Sequence, residues 1–385
     1  MTYMPGFAGT VHRIFLSIPL PPFKVTPPQK VVQYKQVIET RNSFLQRELE
    51  RMTRLRAWMV SKTEDGTFTA GLREIDREAL PEGEVTVKVA YSGINYKDAL
   101  ASTPSGKVVR SYPMVPGIDL AGTVTASSHP RFREGDAVLA TGYELGTGRF
   151  GGFAEEARLP GDWLVPLPAG LTLREAMILG TAGFTAALSV HRLEAAGLRP
   201  EAGGVLVTGA TGGVGGHAAA MLAGLGYEVT ASTGKASAHA YLASLGASAV
   251  IDRAELAAAG RPLRGERWAA AVDPVGGAQL PAVLSQIRYG GSVAVSGMTG
   301  GADFTASVFP FILRGVSLLG IDSVYCPREL REALWLRMAS DLKPAALERM
   351  VHAEIGLEEL PAALERVLEG GVQGRYLVNV AGGEA

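Results

Sequence analysis

The sequence predicts an α/β protein of two unlike domains, a β-rich one followed by a doubly wound parallel sheet. Residues 84–90 alternate polar and apolar with period two, as a half-buried strand does, and turn signals bound similar segments up to about residue 160. From Val205 onward, short apolar runs alternate with Ala-rich helical stretches, a pattern that specifies parallel strands joined by right-handed crossovers. Between the first of those strands and the first helix lies Thr208-Gly209-Ala210-Thr211-Gly212-Gly213-Val214-Gly215. A length of 385 residues suits more than one domain, at roughly 150 residues each.

Residues 1–54 read apart from the rest. Pro27-Pro28 precede a charged helical stretch, 29–54, that carries Val31, Val32, Tyr34, Val37 and Ile38. This segment is expected to be an appendage. Either it lies upstream of a true start at Met52 or Met59, or it is a partner-binding or oligomerisation helix. The apolar run 14–20 meets Pro19, Pro21 and Pro22 without a small-residue cleavage site, so no signal peptide is expected.

The β-rich domain is expected over 55–177. After the strand at 84–90, residues 116–124 continue it, 132–139 supply a polar turn entering a strand, and 151–155 precede another. Helical spacing begins at Ala176 and runs to Leu193. The parallel-sheet domain is expected over 178–321, with strands at 205–208, 229–231, 249–251, 270–272, 292–295 and 317–320 and a helix at 217–225. Residues 328–342 read as a helix and 375–380 as a strand returning to the first domain, which is expected to take in 322–385.

Composition excludes several classes. Lys+Arg 37 against Asp+Glu 38 leaves a net charge of −1, so no overall field favours nucleic acid or an anionic membrane. No basic patch with interleaved aromatics appears either, and no apolar window of about 20 residues is free of charges or Pro-Gly breaks. Neither partner is expected. The lone cysteine, Cys326, excludes an intramolecular disulfide and a four-cysteine zinc lobe and fits a reducing cytosol. The histidines, at 12, 129, 191, 217, 239 and 352, show no HxH or HExxH spacing, so no metal site is expected.

In its strand–loop–helix context, Ala210-x-Gly212-x-x-Gly215 reads as a dinucleotide-binding turn with Ala in the first glycine's place. Gly212 lets the backbone approach a pyrophosphate, Gly215 lets helix and strand pack closely, and the helix N-terminus offers free N–H groups. An acid about 20 residues on would bind the ribose diol of NAD. Here the next strand ends in Thr233-Gly234-Lys235 instead. A hydroxyl, a flexible backbone and an ammonium suit a 2′-phosphate, which points to NADPH. The alternative leaves Lys235 as a solvated loop lysine and gives the ribose to Asp252.

Without a metal, hydride transfer is easiest to an acceptor that delocalises its own charge, such as a quinone or an alkene conjugated to a carbonyl or thioester. Such a site needs a hydrogen-bond cradle and a proton source. Asn95, Tyr96 and Asp98 are the candidates, Tyr96 and Asn95 as hydrogen-bonding groups and Lys97 or Asp98 as the group that poises the pKa. The plainer alternative makes Tyr96 a strand-end residue and Lys97-Asp98 a local ion pair opening a helix.

Residues 94–98, 116–124, 180–186, the glycine loop and 309–316 together resemble the medium-chain dehydrogenase/reductase superfamily. More narrowly they resemble its zinc-free quinone-oxidoreductase branch and the NADPH-dependent acrylyl-CoA reductase group, over residue 56 to the end. The resemblance implies a GroES-like catalytic domain, a Rossmann domain and a homodimer. It implies that Tyr96 lies beside cofactor and substrate, that Thr211, Gly212, Gly213 and Val214 hold the pyrophosphate, and that Thr233, Gly234 and Lys235 meet the 2′-phosphate. Arg253, Gly297 and Arg375 are implied as further cofactor residues. Acrylyl-CoA reduction to propanoyl-CoA is the activity implied; the alternatives are an NADPH:quinone oxidoreductase and a non-enzymatic NADPH-binding protein. Lys107, Arg110, Arg131 and Arg133 are candidates for the phosphates of a CoA thioester.

Overall fold

The computed structural model describes residues 32, 39–41, 53–257 and 261–382. Residues Met1–Arg54 form one unit and Leu55–Ala385 the other. In the first unit Val32 and residues 39–41 are helical, and most of the helical stretch expected over 29–54 lies outside the described residues.

In the second unit the chain enters through a hairpin, β1 (Arg54–Lys62) with β2 (Phe68–Asp76). Leu55, Ala57 and Trp58 of β1 are buried in the core of the β-rich domain, where the Trp58 amide bonds the Phe153 carbonyl. A start at Met59 would delete these contacts. β3 (Val85–Gly93) buries Val85, Val87 and Val89, the alternation that predicts it. With β4 (Asp119–Ser127), β5 (Ala137–Thr141), β6 (Glu156–Leu159) and β7 (Val165–Pro166) it builds a mainly antiparallel sheet, completed by β14 (Val351–Ile355) and β15 (Arg375–Asn379) from the far end of the chain.

The second sheet is wholly parallel, in the order β10-β9-β8-β11-β12-β13. Its strands are β8 (Val205–Val207), β9 (Val229–Thr233), β10 (Ala249–Asp252), β11 (Trp268–Asp273), β12 (Ile287–Val295) and β13 (Ser317–Gly320). Numbered from β8, that is the 3-2-1-4-5-6 order of a Rossmann sheet. β8 and β11 are buried along their whole length, as central strands covered on both faces are.

Helices α1 (Tyr96–Ala101), α2 (Leu173–Ala195) and α3 (Gly213–Gly224) position the site. α2 packs on both sheets and bends at Gly180, whose backbone is non-helical with φ +50°. Farther on come α4 (His239–Ser244), α5 (Ala254–Ala257), α6 (Leu280–Leu284), α7 (Phe309–Arg314), α8 (Arg328–Met338) and α9 (Leu360–Leu368). α8 stops short of the helix expected over 328–342. Its C-cap is Ala339, the Leu342 amide reaches back five residues to the Arg337 carbonyl at 2.8 Å, and Pro344 follows, which cannot continue the helix. β14 and α9 are additions to the sequence reading; α9 buries Leu360, Ala363 and Leu364, one helical face.

Candidate active site

Asn95 sits at the N-cap of α1 and Tyr96 opens the helix, 46% exposed. Asp98, one turn in, is fully buried. One of its oxygens takes the Asn95 amide N–H at 2.8 Å and the Asn95 side-chain amide at 3.3 Å. The other takes the Gly117 and Ile118 amides at 3.1 and 2.8 Å. Asp98 therefore clamps α1 to the turn before β4 and makes no local pair with Lys97. Burial pushes its pKa up to about 7, aided by the neighbouring charge of Asp119 and opposed by the amide bonds.

The Asn95 amide also donates to Asp119 Oδ2 at 2.8 Å, on buried β4. Arg375, 4% exposed at the start of β15, donates to Asp119 at 3.0 Å and to Asn95 Oδ1 at 2.9 Å. Thr181 gives Asp119 its backbone N–H at 2.9 Å and its hydroxyl at 2.5 Å. The bend in α2 makes this possible: a Cβ on Gly180 would press on Asp119 Oδ2 and stand 2.6 Å from Arg375 Nη2. Glycine is required there on space and on its left-handed φ alike. Arg375 thus lies inside a buried network that holds both its Nη atoms and leaves its Nε without a partner among the described residues, and its stem backs onto the glycine loop, with Cγ 3.6 Å from where a Cβ on Gly213 would stand.

In that loop Gly212 is the N-cap of α3. A Cβ on Gly215 would come 2.8 Å from Ala210 Cα and closer still to the Gly209 carbonyl, whereas one on Gly212 would meet only that carbonyl, at 3.4 Å. Gly215 therefore serves close helix–strand packing, and the Gly212 backbone leaves room for a ligand. The unpaired N–H groups at the start of α3 lie beside Thr211, Gly213 and Val214. Thr211 accepts the Gly374 amide at 3.0 Å, joining this loop to β15.

One strand over in the parallel sheet, buried Thr233 closes β9, and its hydroxyl accepts the Lys235 amide at 3.1 Å. The Lys235 ammonium donates to the Gly370 and Val372 carbonyls at 3.1 and 3.3 Å. Arg253 lies across Gly234, its Nε 2.5 Å from where a Cβ would stand, with no guanidinium partner among the described residues. Asp252 instead caps the next helix through the Ala254 amide at 2.7 Å. Gly297 follows β12 and presses on the Pro274 backbone.

The four candidate phosphate cations are not gathered in one cluster of free charges. Arg110 pairs with Glu144 and reaches Tyr325 Oη at 3.3 Å; Arg131 pairs with Glu332; Arg133 stands in solvent 3.7 Å from Asp136. Lys107, exposed at φ +52°, has no partner among the described residues. Among the described residues no group of three or more His, Cys, Asp or Glu could hold a metal, and no helix is long and apolar enough to cross a membrane. Asp119 and Thr181 were not singled out by sequence reasoning. The readable signal was an acid interrupting the apolar strand Ile118-Asp119-Leu120-Ala121.

Comparison with known proteins agrees with this layout. The alcohol dehydrogenase GroES-like domain matches residues 81–169, and the domain described as zinc-binding dehydrogenase matches 213–339. YhfP of Bacillus subtilis, which carries the name of a quinone oxidoreductase, is 60% identical over 310 residues, 80% of this chain and 94% of the relative. Its solved structure, with NAD bound, has a TM-score of 0.83 and covers 85% of this chain and all of that one. The acrylyl-CoA reductase AcuI of Ruegeria pomeroyi is 51% identical over 84% of this chain and 98% of its own. The structure of Escherichia coli YhdH with bound NADPH has a TM-score of 0.81 at 50% identity, covering 84% and 99%. The chain belongs to the medium-chain dehydrogenase/reductase family of oxidoreductases, in the group of quinone oxidoreductases and acrylyl-CoA reductases.

Proposed function

We propose that the protein reduces the conjugated double bond of acrylyl-CoA to propanoyl-CoA with NADPH, without a metal ion. The observation that supports this reading is the network of Asn95, Asp98, Asp119 and Arg375 under half-exposed Tyr96 at the start of α1, with the Arg375 stem against the glycine loop. NADPH, bound along the loop, supplies the hydride. The chain's fit to it rests on the open backbone at Gly212, the absence of an acid at the end of β9, and the cations Arg253 and Lys235 there. Hydride adds to the β-carbon, the electron pair moves onto the thioester oxygen as an enolate, and a proton at the α-carbon completes the product. Tyr96 hydrogen-bonds that oxygen or the cofactor ribose and assists protonation. Asp98, fully buried, acts by fixing the start of α1, and Asn95 shares in this through its bonds to Asp98 and Asp119.

The runner-up is an NADPH:quinone oxidoreductase, favoured by the pairing of three candidate phosphate cations with carboxylates. A nucleotide-binding protein without turnover is the third reading. NADPH oxidation measured with acrylyl-CoA and with simple quinones decides among them, with chelator present in one arm. Turnover of quinones with none of acrylyl-CoA would reject the first reading, and no turnover with either would leave the third. The protein is also proposed to work as a homodimer in the cytosol. β13, the edge strand of the parallel sheet among the described residues, and the exposed Val308, Phe309, Ile312 and Leu313 just before it in sequence support the dimer, which light scattering tests.

A further inference from the structure

We propose that Arg331 is a positioning residue that sets the acceptor-binding side of the cleft, by fastening the segment after β13 onto the turn after β5. This rests on the reading that Tyr96 faces that cleft. Arg331, on α8, is 1% exposed and pairs with no carboxylate among the described residues. One guanidinium nitrogen donates to the Thr141 carbonyl and hydroxyl at 2.8 and 3.1 Å, and the other to the Ser323 and Val324 carbonyls, both at 3.0 Å. Its Cζ lies 4.5 Å from the centroid of the Tyr143 ring and 4.7 Å from that of Phe184. Tyr143 also stacks on Trp163, with centroids 5.2 Å apart.

A buried cation without a counter-ion is costly to keep. The planar fork does what few other groups could: it spans two pairs of acceptors on two chain segments at once. Both segments are strained or tight at that point. Tyr143 holds φ +51°, a left-handed conformation unusual for a bulky residue, while its amide donates to the Val324 carbonyl at 3.0 Å. Gly142 packs so closely that a Cβ would stand 3.1 Å from the Ser323 carbonyl.

These segments lead to the reaction centre. Ser323 Oγ lies 2.9 Å from Thr185 Oγ1, which donates to the Thr181 carbonyl at 2.7 Å, and Thr181 clamps Asp119 beneath Asn95. Val324 is followed by exposed Tyr325, which meets Arg110. Loosening the fork would therefore let the 323–325 segment and the Tyr143 turn drift apart, several bonded steps away from the glycine loop.

The test uses the acceptor that the wild-type protein turns over, so that a failure of the acrylyl-CoA reading appears in the wild type and leaves this test in force with a quinone. Arg331→Met should raise KM for the acceptor at least tenfold, while kcat and the NADPH dissociation constant read by nicotinamide fluorescence stay within threefold. Arg331→Lys, which keeps the charge but cannot span both acceptor pairs, should fall between. A drop in kcat with unchanged KM, equal losses of acceptor and NADPH affinity, or wild-type KM in Arg331→Met would each overturn the proposal. If Arg331→Met does not fold, Thr141→Val decides: it removes one acceptor of the fork and should raise KM two- to threefold, and an unchanged KM would overturn the proposal as well.

Discussion

The two ends of the candidate site treat charge differently. Near Tyr96, Asp98, Asp119 and Arg375 are all buried: Asn95, Thr181 and backbone amides donate to the two carboxylates, and the Arg375 Nη atoms donate to Asp119 and Asn95. Near Gly234, Arg253 stands exposed and unpaired among the described residues, and Lys235 rests on two backbone carbonyls. Charges of the first kind, already paired, fix geometry, and removing one leaves its partner stranded in low dielectric. Charges of the second kind lose little by waiting in water and gain when an anion arrives. The first end should answer mutation in stability and rate, and the second in ligand choice.

The largest effect is expected at Arg375. Arg375→Met strands Asp119, so denaturant unfolding should show a loss of about 3–5 kcal/mol; a loss under about 1 kcal/mol would put this end on the same footing as the other. Tyr96→Phe comes next, lowering kcat by roughly one to three decades at unchanged melting temperature. A wild-type rate would make Tyr96 only the residue that opens α1.

Asp98 sharpens the contrast through pH. Its folded pKa of about 7 lies above the ordinary value of 3.8, so the native state holds the proton more tightly than the unfolded chain does. Its contribution to stability is full below about pH 4 and is lost as pH rises to about 7, at up to about 1.4 kcal/mol per pH unit. Asp98→Asn should flatten that slope in unfolding curves taken from pH 4.5 to 8; an unaltered slope would assign it to other groups. The smallest effect belongs to the adenosine end. NADPH should bind at least tenfold tighter than NADH, about 1.4 kcal/mol, and Lys235→Ala or Arg253→Met should erase most of that preference without shifting the unfolding midpoint. Equal affinities for the two cofactors in the wild type would break the comparison.

The elements readable in the sequence were those with local signals: the period-two run that became β3, the strand–loop–helix around Gly212, and six parallel strands in order. The network beneath Tyr96 had no such signal. Asp119 meets Asn95 across 24 residues, Thr181 across 62 and Arg375 across 256, separations at which neither periodicity nor a short motif carries information. Arg375 read as a cofactor residue by resemblance, and only its burial shows it holding Asp119 and Asn95. Arg110 and Arg131 likewise read as free loop cations, because Glu144 and Glu332 lie 34 and 201 residues away.

β15 lies between β14 and β3 and begins at Arg375, ten residues before the last. During synthesis at about 5–20 residues per second, roughly 10–50 s separate the emergence of Asp119 from that of Arg375. Until Arg375 emerges, the buried carboxylate of Asp119 has no guanidinium beside it, and β3 lacks the strand that joins it to β14.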